Sequence, residues 1–98
     1  GINPNNDGKV IRLNFPPLTE ERRRDIAKDI HKMAEEGKVA IRSIRRDAIE
    51  KIKAMKKANE ITEDDVKDGE KEAQKYTDKY CKLMDELMEI KVKEIMEI

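Results

Sequence analysis

Ninety-eight residues with 22 Lys+Arg, 22 Asp+Glu, 37% apolar and 3% aromatic side chains and no Trp allow one domain at most and exclude a large aromatic-lined core. No apolar run approaches the roughly 20 residues of a membrane span, and no basic-then-apolar leader opens the chain. The single Cys81 cannot form an internal disulfide, which fits a reducing, cytoplasmic setting. A formal net charge of zero argues against a nucleic-acid partner only until the charges are placed along the chain. Residues 1–19 hold two basic and one acidic residue, residues 20–57 thirteen and eight, and residues 60–98 seven and thirteen. The chain is thus a basic half of +5 followed by an acidic half of −6, after a first stretch of +1, an asymmetry that bears on partners.

Asn-Pro and Asp-Gly punctuate the first eight residues as turns. Lys9 to Phe15 reads as a strand, with Ile11, Leu13 and Phe15 on one face. A lone strand can neither pair its backbone nor bury that face, and no second strand candidate follows. The strand is therefore expected to pair with another chain or to be the remainder of a sheet in a longer protein.

Pro16-Pro17 ends the strand. Thr19 is then the expected N-cap of a helix, with Glu20 and Glu21 in its positive first turn. The helical pattern continues to about Lys57, and Ala58-Asn59-Glu60 forms a short connector. Thr62, with Asp65 three residues on, starts a second helix that runs to the end of the chain. Two helices of roughly 35 residues, each about 50–55 Å long, predict a long antiparallel hairpin. The expected fold class is mainly all-α.

Projected at about 100° per residue, the first helix has three faces. Ile26, Ile30, Met33, Gly37, Ile41, Ile44, Ala48, Ile52 and Met55 form an apolar stripe, and Asp25, Asp29, Glu36 and Asp47 gather roughly opposite. Between them lies a basic face that includes His31, Lys38, Arg42, Arg45 and Arg46. On the second helix Val66, Gly69, Ala73, Tyr76, Tyr80, Leu83, Leu87 and Ile90 alternate three and four apart as a coiled-coil-like seam. Met84, Met88, Val92, Ile95 and Ile98 widen it, so a third helix is expected, missing here or supplied by another chain.

Like charges at i,i+3 and i,i+4 repel by a few tenths of a kcal/mol, so grouping Arg42, Arg45 and Arg46 is not a stability device. Arginine's planar fork grips phosphates in pairs of hydrogen bonds. A basic rod without stacking aromatics points to structured RNA recognised by shape rather than single strands read by base. The simplest alternative is a solvated face. His31 reads as a member of the basic face, Cys81 as a packing residue beside the seam, and Tyr76 and Tyr80 as core. Gly37 costs about 1 kcal/mol against Ala in a helix, which predicts close approach of a neighbouring helix. There is no Gly-rich phosphate loop, no nucleophilic triad and no HExxH, and lone His31 and Cys81 cannot make a zinc site within one chain. No enzyme, cofactor or small-molecule substrate is expected.

The stretch Pro16-Pro17-Leu18-Thr19-Glu20-Glu21-Arg22-Arg23-Arg24, followed by Lys38-Val39-Ala40-Ile41-Arg42-Ser43-Ile44-Arg45-Arg46-Asp47-Ala48, resembles ribosome recycling factor. Gly1-Ile2-Asn3-Pro4 and Ile61-Thr62-Glu63-Asp64-Asp65 resemble it too, so the likeness runs the length of the chain. The resemblance implies a three-helix bundle with a β-rich second domain inserted after its first helix. Residues 1–17 would be the remnant of the β domain and hinge, with Pro16, Pro17 and Leu18 at the hinge. Residues 18–98 would be the bundle domain lacking its first helix. It further implies binding to 23S rRNA across the A and P sites of the large subunit, and splitting of the post-termination ribosome together with elongation factor G. Arg42, Arg45 and Arg46, with Arg23 nearer the hinge, carry over as rRNA contacts. Lys38 joins them from the helical projection. Ser43 departs from the Asn common at its place in the motif. A piece of this kind is expected not to recycle ribosomes alone, and to self-associate to complete its bundle. The rival reading is a helical-hairpin interaction or dimerisation module.

Overall fold

The computed structural model describes residues 18–97. The strand expected over residues 9–15, and Pro16 and Pro17, lie outside the described residues. Two helices account for nearly all of the rest: α1, Glu20–Lys57, and α2, Glu63–Met96. The hairpin measures 64 × 33 × 14 Å, the thickness of a single layer of helices.

Both starts follow the capping chemistry in the sequence. Thr19 Oγ1 accepts from the Arg22 amide at 3.0 Å. At α2 the box is reciprocal: Thr62 Oγ1 accepts from the Asp65 amide at 3.1 Å, and Asp65 Oδ2 accepts from the Thr62 amide at 3.0 Å. The end of α1 carries a device not anticipated from the sequence. The Asn59 amide donates to the Lys56 carbonyl and the Glu60 amide to that of Met55, each at 2.9 Å, while Asn59 takes φ 61°. This is a Schellman ending with Asn rather than Gly in the left-handed position.

The two helices hold one register over their length. Gly37 lies against Met84 and Gly69 against Ile52, and equal numbers of residues separate the two contacts on α1 and on α2. What approaches Gly37 is not a backbone. A Cβ built there would meet the Met84 methyl at 2.5 Å. Among the described residues Ala34, 4% exposed, Val66 and Thr77 are the buried ones, and the Thr77 hydroxyl donates to the Ala73 carbonyl at 2.7 Å. Among the described residues no large side chain is fully buried.

The seam expected on α2 divides. Val66, Gly69 and Ala73 are buried or half-buried, but Tyr76, Tyr80, Leu83, Leu87 and Ile90 are 46–53% exposed. The cause is geometric: a straight α-helix drifts about 20° per heptad from a strict seven-residue repeat. The row that begins against α1 at Val66 has turned away from it by Leu87. Thr77 and Met84 take over the contact. Tyr76 and Tyr80 are therefore not core. The Lys75 and Lys79 ammoniums lie 5.8 and 5.6 Å from their ring centroids.

Candidate nucleic-acid interface

Relative to the line from α1 to α2, helical projection places the apolar residues of α1 toward one flank and the basic residues toward the other. On the apolar flank a groove runs between the helices in two hollows. One, of about 460 Å³, is lined by Ile26, Ile30, Met33, Met84 and Leu87 among others. The second, of about 390 Å³ and nearer the connector, lies between Ile41, Ile44 and Ala48 of α1 and Ala73, Tyr76 and Tyr80 of α2. Ile44 is 67% and Met33 64% exposed. The surplus of apolar surface read from the sequence thus lies exposed in and around two hollows between the helices.

The basic flank separates the five residues expected to bind RNA. Arg42 and Arg46, one turn apart, are exposed, and neither meets a carboxylate within ion-pair distance among the described residues. Arg45 is half-buried and lines the second hollow beside Ile44 and Tyr76. Its place in the sequence groups it with the other two, yet its angle on the helix turns it toward α2.

Lys38 is engaged inside the hairpin. Its Nζ lies 2.9 Å from Glu35 Oε1 and 2.9 Å from Asp85 Oδ1, and its side chain is 13% exposed. The hydrogen bond to Asp85, then that to Glu35, hold its pKa above the ordinary 10.5 against the opposing effect of desolvation. Asp85 is the residue the sequence reasoning missed. Its signal was an acid on α2 level with a lysine at the margin of the α1 stripe, visible only once the register is known.

Arg23 stands at the other end of the rod. Its Nη2 donates to the Leu18 carbonyl at 3.1 Å, and its Nε is buried without an acceptor among the described residues. Of the three residues expected at a hinge, Leu18 alone lies among the described residues, and Arg23 ties it to the first turn of α1. His31 is exposed beside a shallow hollow of about 280 Å³ with Met88, Val92 and Met96. Among the described residues no group of His, Cys, Asp or Glu is placed to hold a metal, and no helix is long and apolar enough to cross a membrane.

The family model described as ribosome recycling factor matches residues 1–96. The ribosome-recycling factor of Acetivibrio thermocellus is 67% identical over 98 residues, covering 100% of this chain and 54% of that protein. Those of Caldicellulosiruptor saccharolyticus and Bacillus thuringiensis are 61% and 55% identical over all 98 residues, covering 53% of each protein. The chain spans about half the length of the curated relatives it matches.

Proposed function

The chain belongs to the ribosome recycling factor family, and on that premise we propose that α1 docks on 23S rRNA of the large ribosomal subunit through its arginine flank, across the A and P sites. The observation that carries this reading is the pair Arg42 and Arg46, exposed and one turn apart with no carboxylate beside them among the described residues. An exposed guanidinium left free of acids is free to bind a phosphate with two parallel hydrogen bonds. Two of them one helical turn apart match a backbone rather than a single anion. Arg45 extends the same turn. Lys38 and Arg23 contribute through what they hold: Lys38 fixes α2 against α1, and Arg23 fixes Leu18 at the hinge formed with Pro16 and Pro17.

The action is mechanical rather than catalytic. A rigid helical rod gives the rRNA a fixed footprint, and elongation factor G drives the docked factor to split the cytoplasmic post-termination ribosome. Hydrolysis of GTP belongs to that partner. A chain of these 98 residues keeps the arginine flank and binds, but does not split ribosomes alone. Salt titration of its binding to isolated large subunits tests the reading. If several phosphates are neutralised, log affinity falls against log salt by about 0.7 to 0.9 per phosphate. A flat salt response overturns it, and robust splitting by the 98-residue chain overturns the division of labour.

A second reading, a helical hairpin that associates with another helical surface, is supported by the exposed groove. Monomers seldom leave contiguous apolar patches beyond roughly 300–600 Å² uncovered.

A further inference from the structure

We propose that the phosphate-binding flank crosses from α1 to α2, where Lys67 and Lys71 form a second row of cations beside Arg42, Arg46 and Lys53. The inference rests on the arginine-flank reading above and extends it to the half of the chain whose net charge of −6 points away from RNA.

The placement follows from one contact and the helical repeat. Lys38 and Asp85 meet at 2.9 Å across the basic side of the hairpin, so Asp85 marks the angle at which α2 faces that side. Lys67 precedes Asp85 by eighteen residues, five whole turns, and stands on the same line along α2. Lys71 precedes it by fourteen residues, which leaves it within about 40° of that line. His31, on the basic face of α1, shares its hollow with Glu89, one turn past Asp85 on the same side. On α1, Lys53 lies two turns beyond Arg46 and within about 20° of its line. The register sets the height. Gly37 stands level with Met84 and Ile52 with Gly69, which puts Lys71 opposite Glu50 and Lys67 opposite Ala54, on either side of Lys53. Packed helices lie about 8–10 Å apart, so the two rows run side by side at about that separation. Double-helical RNA is held by phosphate contacts across its groove, and two rows reach two strands where one row reaches one.

The charges are left open to a partner. Arg42, Arg46, Lys53, Lys67 and Lys71 are all exposed, and none has a carboxylate within ion-pair distance among the described residues. Glu63 and Glu70 stand one turn either side of Lys67 without pairing with it. Asp78, farther along this side of α2, is taken by Gln74 Nε2 at 2.8 Å. Lys67 and Lys71, one turn apart, repel each other, so their grouping does not serve helix stability. Toward the open end the cations are neutralised within the hairpin, Lys38 by Glu35 and Asp85 and Arg24 by Glu20. The free cations of this flank are therefore densest toward the connector.

Binding of the 98-residue chain to isolated large ribosomal subunits across a salt series tests this, with circular dichroism to establish unchanged helicity. Lys67→Gln/Lys71→Gln is expected to weaken binding about fivefold or more near about 0.1 M salt, and to reduce the log–log slope by about 1.4 to 1.8, two phosphates at about 0.7 to 0.9 each. Lys75→Gln/Lys79→Gln removes the same charge from the back of α2, where the two ammoniums lie over Tyr76 and Tyr80, and should leave the slope at its wild-type value. Wild-type affinity and slope in Lys67→Gln/Lys71→Gln overturn the second row and leave the arginine flank standing. Equal losses in the two double variants also overturn it, because net charge alone would then set the affinity. Absent or salt-independent binding by the wild-type chain overturns the arginine-flank reading, and this proposal with it.

Discussion

The Lys38 ammonium lies 2.9 Å from Asp85 Oδ1, the one ion pair between α1 and α2 among the described residues. It sits at the middle of the hairpin, one residue beyond the Gly37–Met84 contact on each helix. A tie at that level resists sliding of one helix along the other, which gives the basic flank a fixed shape.

Replacing Lys38 by Met keeps most of the aliphatic stem and removes the charge. Lys38→Met and Asp85→Asn are each expected to lower the urea midpoint, and the double variant to lower it by less than both together, because they break the same contact. The sign with pH follows from the raised pKa of Lys38. Its contribution is present in full below the ordinary 10.5 and is lost as pH rises through the higher folded value. The midpoint difference between wild type and Lys38→Met should therefore hold constant from neutral pH to about 10 and shrink above it.

The two helical glycines are expected to respond differently to alanine. At Gly37 the added Cβ meets the free end of Met84, a flexible side chain that can move aside. Gly37→Ala should therefore keep much of the helix-propensity gain of about 1 kcal/mol. At Gly69 the Cβ would come within 2.8 Å of Ile52 Cδ1, on a β-branched side chain with few rotamers. Gly69→Ala should be neutral at best. Urea denaturation of both variants checks the contrast.

The connector offers a third comparison. Thr62→Ala removes one half of the capping box and should cost about 1 kcal/mol. Asn59→Ala forces a Cβ without a polar side chain into φ 61° and should cost about 1 kcal/mol, whereas Asn59→Gly should lie within about 0.5 kcal/mol of wild type. Equal losses for Asn59→Ala and Asn59→Gly would mean that the Asn side chain, not its backbone conformation, matters.

Both helices were legible in the sequence because their starts are local chemistry. Thr19 and Thr62 cap where a hydroxyl and the following carboxylates predict it. The flanks of α1 were legible too, since helical angle alone separates Arg42 and Arg46 from Ile26 and Ile44. What required the second helix was not. The roles of Lys38 and Arg45 depend on the direction in which α2 lies, and one helix projected by itself does not contain it. The outward turn of Tyr80 and Leu87 comes from heptad drift accumulating along α2, which a list of three- and four-residue spacings conceals. In the sequence Asn59 is simply part of a connector, because its left-handed backbone shows only in the hydrogen bonds around it.

The arginine flank is tested most directly by the affinity of the 98-residue chain for isolated large ribosomal subunits, wild type against the Arg42→Ala/Arg45→Ala/Arg46→Ala variant, across a salt series. The variant should keep its helicity, lose binding, and flatten the log–log salt slope by about one unit for each phosphate contact removed. Affinity and slope unchanged by the triple substitution would contradict it, and would make the basic face of α1 a solvated surface and nothing more.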